Sequence, residues 1–312
     1  MRASITDFRF FLKRRFSSHR RTVQTFYRFC YSTGMAHCIV SSAEEILDKE
    51  YKVLDKGFVR LVDYLGGDAR IVQAARVSYG QGTKSVREDA GLIDYLLRHQ
   101  HTSPFEQVVL TFHLKMPVFV ARQWIRHRTA RVNEISGRYS IMREECYLPA
   151  PEDIAFQSAD NRQGRMSEPA PSDIGNRIRQ TLQTQQENAY REYQSLIDTQ
   201  LARELARINL PLSLYTEFYW QIDLHNLFHF LKLRCDEHAQ KEIRKYAFVL
   251  LDICRCVAPL ATQSFEKHIL NGTRLSCNEL EAIRNLLQGK ESGLQGKELE
   301  RFETKIKTGK QL

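Results

Sequence analysis

The run LPLSLYTEFYWQI, residues 210–222, constrains most strongly what this chain can fold into. From Leu212 to Ile222 every second side chain is suited to burial, and such strict alternation predicts a β-strand with one buried face. Two further strands are predicted at 56–67 and 108–116. These strands do not alternate regularly with helices. The pattern therefore predicts an α+β fold, a single domain in which long helices pack against a β-sheet.

Apolar residues at helical spacing predict helices around these strands. Asp68 is expected to cap the first helix, and Pro117 suits the first turn of the helix after the second strand. The predicted helices cover 68–82, 89–100, 117–127, 181–208, 225–234 and 237–254. Residues 134–141 are expected to be extended. Pro, Ser, Asp and Gly without a sustained period predict a loop insertion at 151–180, and 272–312 is a charged tail expected to form one or two amphipathic helices.

The net charge of +9 is concentrated at the start of the chain. Residues 1–34 hold seven Arg and one Lys against the single acid Asp7, so the rest of the chain carries only +2. A nucleic-acid-binding protein that uses this basic segment is the alternative function, but the near-neutral body lacks a basic footprint for DNA or RNA. By composition the segment resembles a transit peptide. The alternative is that translation starts at Met35 and that the segment is a spurious or disordered extension. The folded domain is therefore placed at 35–271.

Cysteine and histidine spacing argues against disulfide and metal sites. The seven cysteines are scattered, without a C-x-x-C pair, which fits a reducing, cytoplasmic setting. The histidines do not match the spacing of a metal triad such as H-E-x-x-H, so no metal is predicted. Of the ten histidines in the chain, this applies to His101, His127, His225, His229 and His238. No apolar run approaches the roughly 18 residues of a membrane span, so no membrane role is predicted.

The segment RHRTARVNEISGRY, residues 126–139, is dense in cations, which repel one another unless they are solvated or neutralised by an anion. Its basic residues are Arg126, His127, Arg128, Arg131 and Arg138. Further arginines stand at the ends of other elements, at Arg207 and Arg234. The planar guanidinium fork matches phosphate, so these side chains predict a site for a phosphorylated ligand. The ordinary alternative, cations that complement helix dipoles, stays open for each of them.

Other nucleotide and nucleophile motifs are absent from the sequence. No G-x-S-x-G surrounds Ser136, so it is interpreted as a hydrogen-bonding residue rather than a nucleophile. There is no G-x-G-x-x-G after a strand and no G-x-x-x-x-G-K-[ST]. A bound dinucleotide would therefore have to be held by a binding site of another kind.

Three blocks of the chain together resemble the flavin-dependent thymidylate synthases. The central block is Arg-His-Arg, seven residues and then Ser, at 126–136, followed by GRYS. HTSPFEQVVLTFHLKMPVFVARQWIRHR leads into it, and ELARINLPLSLYTEFYWQIDLHNLFHFLKLRCDEHAQKEI comes after it. The resemblance implies reductive methylation of dUMP to dTMP, with methylenetetrahydrofolate as one-carbon donor and NADPH as reductant through bound FAD. It also implies an α+β homotetramer with active sites shared between subunits, and no cysteine nucleophile.

The resemblance implies a set of site residues, position by position. The dUMP contacts are Gln123, Arg126, Glu134, Ser136, Gly137, Arg138, Arg207 and Arg234. The FAD contacts are Ser103, Arg126, His127, Arg128, Glu134, Asp223, Leu224, His225 and His229. Arg234 is implied to promote ionisation of the uracil ring, as a fixed cation beside a developing anion can, and Ser136 completes the catalytic pair. The arginines would then be dense because a nucleotide and a dinucleotide meet there.

Arg131 departs from the family pattern, which usually has a small residue, commonly Ser, at that position. We hypothesise that Arg131 points to solvent or to the flavin phosphate of a neighbouring subunit. A catalytically dead structural relative is a further alternative, which is disfavoured because Arg126, Ser136, Arg207 and Arg234 are all present.

Overall fold

A five-stranded antiparallel sheet forms the centre of the molecule in this computed structural model, which describes residues 38–77, 86–159 and 163–309. The strands are β1 Glu50–Val53, β2 Gly57–Leu65, β3 Val109–Pro117, β4 Arg131–Glu134 and β5 Tyr215–Asp223. They pair in the order β1-β2-β3-β5-β4. The basic segment 1–34 and the two interpretations of it lie outside the described residues.

The alternating run does form a strand, but a shorter one than expected. In β5 the side chains of Phe218, Trp220 and Ile222 are buried, as the alternation predicts. The strand begins at Tyr215 rather than at 210, because Pro211 and a turn interrupt the backbone: the N–H of Leu214 donates to the carbonyl of Pro211. The strands predicted at 56–67 and 108–116 are confirmed as β2 and β3.

Helices cover one face of the sheet and complete the α+β domain. They are α1 Ser41–Glu44, α2 Asp68–Arg76, α3 Val86–Arg98, α4 Val118–Trp124, α5 Ser172–Asp198, α6 Arg203–Ala206, α7 Leu224–Arg234, α8 Lys241–Val257, α9 Pro259–Phe265, α10 Cys277–Leu287 and α11 Gly296–Thr308. Aromatic rings join α4 and α7 to β5. The ring of Trp124 lies 5.1 Å from that of Trp220 and 4.4 Å from that of Phe230, so the two helices and the strand pack against one another at this point.

Asp68 does not cap its own helix. The N-cap of α2 is Gly67, and Asp68 is the first helical residue. Its buried carboxylate instead accepts the backbone N–H groups of Leu260 at 2.8 Å and Ala261 at 3.0 Å, in the first turn of α9. Burial raises the pKa of Asp68 to about 6. The prediction was wrong because a contact far along the chain competes for this carboxylate.

The insertion is shorter than predicted, and its charges tie it to α8. Helix α5 begins at Ser172 and ends at Asp198, whereas a loop to 180 and a helix over 181–208 were expected. Gln200, with a φ of 60°, turns the chain after α5. Within the insertion Arg165 pairs with Glu242 at 2.5 Å and donates to the carbonyl of Asp153 at 2.6 Å. The carboxylate of Asp153 in turn accepts from Lys245 at 2.7 Å.

The tail forms the amphipathic helices α10 and α11. Ser276 and Glu279 make a capping box at the start of α10, a motif that satisfies two N–H groups of the first turn. Lys305 of α11 donates to both carboxylate oxygens of Glu279, at 2.7 and 2.9 Å, and Phe302 is buried. This ion pair and this aromatic side chain hold α11 in place.

Candidate active site

The cation-rich segment begins where α4 ends. Trp124 anchors the end of α4 in the core, and the N–H of His127 donates to its carbonyl at 3.0 Å. Arg126 and Arg128 are exposed on either side of His127. Among the described residues, Arg138 is the one arginine of 126–139 that forms an ion pair, with Glu204 at 3.2 Å. Unpaired cations this close together favour binding of an anion.

His127, Arg234 and Gln123 form the first cluster of site residues. Arg234 ends α7, its Nε donates to Nε2 of His127 at 3.0 Å, and its Nη2 donates to the carbonyl of Gln123 at 3.2 Å. Burial first, then the charges of Arg234 and His229, lower the pKa of His127 to about 4. Burial also lowers the pKa of Arg234. His127 is therefore neutral at physiological pH.

The second cluster lies at the turn after β4. Glu134 accepts from the hydroxyl of Thr216 at 2.5 Å, and Oγ of Ser136 accepts from the backbone N–H of Arg138 at 3.3 Å. The side chain of Arg207 lies against Gly137: a Cβ added there would be 3.0 Å from Cδ of Arg207. The segment 134–141 is thus extended only through Glu134 and then turns, with the N–H of Tyr139 and Ser140 bonded to the carbonyl of Ser136.

The third cluster is at the other end of α7. Asp223 is the N-cap, and its carboxylate accepts from the backbone N–H of Asn226 at 2.9 Å. Leu224 is fully buried and His225 is half-buried. Ser103 lies just before the 3-10 turn Phe105–Gln107, which packs against α7. It lines a cavity of about 430 Å³ together with Arg70, Gln73 and Gln107.

The structure thus distributes the expected site residues over three places. The helix α7 of 11 residues separates the first cluster from the third by roughly 16 Å, at 1.5 Å per residue. Sequence reasoning missed two residues of the site, Gln240 and Thr216. Gln240 accepts a hydrogen bond from the side chain of Gln123. Both lie far along the chain from their partners, and no motif signals them.

Arg131 and Glu134 point to opposite faces of the sheet. Arg131 lies opposite Gln221 and Glu134 opposite Phe218 in the β4–β5 ladder. Because side chains alternate along a strand, Glu134 shares the face of the buried Phe218, whereas Arg131 shares the outer face of the sheet with Tyr219. Arg131 therefore does not join the second cluster within its own chain.

The described ranges contain neither a cluster of metal ligands nor a helix suited to crossing a membrane. No group of three or more His, Cys, Asp or Glu side chains there is arranged to hold a metal ion. None of the described helices is long and apolar enough to cross a membrane.

Family comparison shows which family this chain belongs to. The family described as thymidylate synthase complementing protein matches residues 60–260, which include the Arg-His-Arg segment and all three clusters. The chain belongs to the flavin-dependent thymidylate synthases. It is accordingly a flavin-dependent enzyme of thymidylate synthesis, as the resemblance implied. A second family, the ThyX C-terminal domain, matches residues 273–312, so the tail is also a part that relatives share.

The relatives match over most of their length. A flavin-dependent thymidylate synthase of Treponema denticola is 70% identical over 266 residues, 85% of this chain and 100% of that protein. The enzyme of Treponema pallidum is 59% identical over 91% of this chain and 93% of its own. Among solved structures, a UMP/dUMP methylase, PolB, from Streptomyces cacaoi bound with 5-Br dUMP has a TM-score of 0.65. It is 30% identical, covering 70% of this chain and 98% of PolB.

Proposed function

We propose that this chain binds dUMP and methylates it to dTMP, taking the one-carbon unit from methylenetetrahydrofolate and reducing equivalents from NADPH. The observation that carries the proposal is the pairing of Arg234 with two neutral acceptors, His127 and Gln123, which leaves its charge available to a ligand. The PolB structures, one with 5-Br dUMP and one with 5-Br UMP, support a pyrimidine nucleotide as that ligand.

For dUMP we propose contacts from the first and second clusters. The guanidinium forks of Arg126, Arg138 and Arg207 suit the phosphate, and Gly137, which lacks a Cβ, lets the side chain of Arg207 approach the backbone closely. Arg234 would stabilise negative charge on the pyrimidine ring in a half-buried place where that charge is poorly screened. Ser136 would act through its hydroxyl, which already orders the turn by accepting from Arg138. Gln123 and Glu134 would complete the contacts.

The residues present also fit a bound FAD. Arg126 and Arg128 supply exposed cations without acidic partners in the described part of the chain, which suits the flavin diphosphate. When bound, FAD carries reducing equivalents from NADPH to the one-carbon unit. His127, His229, Glu134, His225 and Ser103 would be the contacting side chains. Asp223 is engaged as a helix cap, and Leu224 is buried with its backbone N–H bonded to the carbonyl of Val108, so we assign their contribution to fixing the position of the α7 N-terminus.

We infer that the active sites are shared in a homotetramer. The FAD residues lie at both ends of α7, and large apolar side chains are exposed around the second cluster: Val132, Ile135, Tyr139, Ile208 and Leu212 are between 43% and 77% exposed. Exposed apolar patches of this kind mark interaction surfaces. A cytoplasmic location and the division into extension 1–34, domain 35–271 and tail remain proposals from the sequence.

The test combines spectroscopy with an activity assay. Purified protein with added FAD should show a flavin absorption spectrum that dUMP perturbs, and NADPH oxidation should depend on both dUMP and methylenetetrahydrofolate. Size measurement in solution should give four chains. A protein that binds neither FAD nor dUMP would contradict the proposal. Deleting residues 1–34 separates it from the nucleic-acid alternative, because the deletion should leave thymidylate synthesis intact.

A further inference from the structure

Arg234 is held in an unusual way for a half-buried arginine. Its Nε and Nη2 donate to Nε2 of His127 at 3.0 Å and to the backbone carbonyl of Gln123 at 3.2 Å. No carboxylate lies within ion-pair distance of it among the described residues. A cation at the end of α7 complements the helix dipole, but that effect requires neither partial burial nor two directed hydrogen bonds.

The contact with Arg234 also defines the state of the His127 ring. A ring nitrogen accepts a hydrogen bond only when it carries no proton, so Nε2 is bare and the single proton lies on Nδ1. The low pKa of His127 keeps this neutral form throughout the physiological range. The ring itself is held by its edge contact with Phe230, with centroids 4.7 Å apart.

Both acceptors are neutral, and this has a consequence for the charge of Arg234. A carboxylate in the place of His127 would orient the guanidinium equally well but would cancel most of its field. A neutral imidazole and a peptide carbonyl fix its direction and leave the positive charge for a ligand. The burial that lowers the pKa of Arg234 also limits screening of that charge by water.

We propose that His127 is a positioning residue for Arg234: it fixes the direction of the guanidinium through Nε2 without neutralising it. This inference rests on the proposed function, in which Arg234 acts on the pyrimidine of dUMP. It is separate from the proposed contact of His127 with FAD, since Nε2 is occupied by Arg234.

The test is a set of three substitutions at position 127. His127→Gln places a neutral amide acceptor near the position of Nε2, His127→Leu removes the acceptor at similar volume, and His127→Glu keeps an acceptor but adds negative charge. The dissociation constant of dUMP is measured by calorimetry on protein saturated with FAD, so that altered flavin affinity does not enter. The matched control is His99→Leu, an exposed histidine after α3, which should bind dUMP like wild type.

We expect His127→Gln to bind dUMP nearly as tightly as wild type. His127→Leu should bind it roughly 10- to 100-fold more weakly, the range for losing one hydrogen bond to a charged group. His127→Glu should bind at least as weakly as Leu, and kcat/KM should follow the same order. Equal affinities of the Gln and Leu variants would overturn the proposal, and so would a Glu variant that binds as well as Gln.

A second experiment, in a protein already substituted at Arg234, covers the case in which substitutions of His127 disturb the folded structure. If His127 acts by directing the guanidinium, His127→Leu should weaken dUMP binding no further in an Arg234→Met protein, because methionine offers no hydrogen-bond donor to Nε2 of His127. Full additivity of the two substitutions would contradict the inference. Failure of the proposed function itself would be distinct, since the wild-type protein would then show no dUMP binding at all.

Discussion

Two arginine-containing regions of this molecule use their charges in opposite ways. In the insertion, Arg165 reaches the buried carboxylate of Glu242, and Asp153 is surrounded by lysines. In the segment 126–139, Arg126, Arg128 and Arg131 are exposed and have no acidic partner among the described residues. In the insertion, paired and partly buried charges stabilise the folded structure. In the segment 126–139, which follows the anchored end of α4, the unpaired charges are available for a ligand. Pairing with a buried carboxylate, rather than arginine content, therefore separates the structural region from the binding region, where the ion pair of Arg138 with Glu204 is exposed.

The largest expected effect is on the stability of the insertion. Arg165→Met should lower the free energy of unfolding by about 3–5 kcal/mol, because it leaves Glu242 buried without its cation. Urea denaturation measures this change. The double variant Arg165→Met, Glu242→Gln should recover part of the loss, and Arg126→Met is the matched arginine control, expected to weaken dUMP binding with almost no change in stability. If Arg126→Met destabilises the fold as much as Arg165→Met, the contrast between the regions fails.

A pH experiment tests the buried carboxylate of Asp68, whose hydrogen-bond partners in the described part of the chain are the backbone N–H groups of Leu260 and Ala261. The pKa of Asp68 is raised in the folded state, to about 6 from 3.8, so the folded chain binds its proton more tightly than the unfolded chain. Its stabilising contribution is present below pH 4 and is lost as the pH rises through 6, by roughly 3 kcal/mol at about 1.4 kcal/mol per pKa unit. Wild type should therefore lose stability relative to Asp68→Asn between pH 4 and 7. Parallel pH curves for the two proteins would exclude this account.

A smaller effect is expected at Gly137. A Cβ there would come within 3.0 Å of Cδ of Arg207 and 3.1 Å of Sδ of Met142, and both side chains are flexible enough to shift. Gly137→Ala should raise the KM for dUMP several-fold while the free energy of unfolding changes by at most about 1 kcal/mol. Gly91→Ala is the control, since no atom lies within 4 Å of its Cβ position. An unchanged KM would remove Gly137 from the proposed dUMP site.

The smallest effect is expected at Arg131. Arg131 lies on the outer sheet face, away from Glu134, so Arg131→Ser should change the free energy of unfolding by no more than about 0.5 kcal/mol. FAD affinity, measured by flavin fluorescence titration, decides between the two hypotheses for this side chain. Unchanged affinity supports the solvent position. A clear loss would instead support contact with the flavin phosphate of a neighbouring subunit.

Local patterns predicted the elements of the fold better than their ends. Alternation found β5 because one sheet face is buried, and helical spacing over 225–234 matches α7. The start of β5 and the end of α5 were misplaced because a turn at Pro211 and the left-handed Gln200 depend on local backbone geometry without a glycine to signal it. Asp68 was assigned to the wrong helix because its partner residues are more than 190 positions away.

The site was foreseen only as a set of residue types and a resemblance. The sequence showed that cations cluster, but not which of them lack acidic partners, since that depends on tertiary contacts. His127 accepts a hydrogen bond from Arg234, which lies 107 positions further along the chain. Gln240 and Thr216 entered the site for the same reason, as neighbours brought in by folding.

Helix α7 acts as a spacer of fixed length and phase between two groups of proposed ligand contacts. Each residue of an α-helix adds about 1.5 Å and 100° of rotation. Deleting one residue between Leu224 and Arg234 would therefore turn Arg234 well away from His127 while Asp223 still capped the helix. The number of residues in α7 is therefore constrained by the proposed ligand contacts at both of its ends, and not only by the stability of the helix itself.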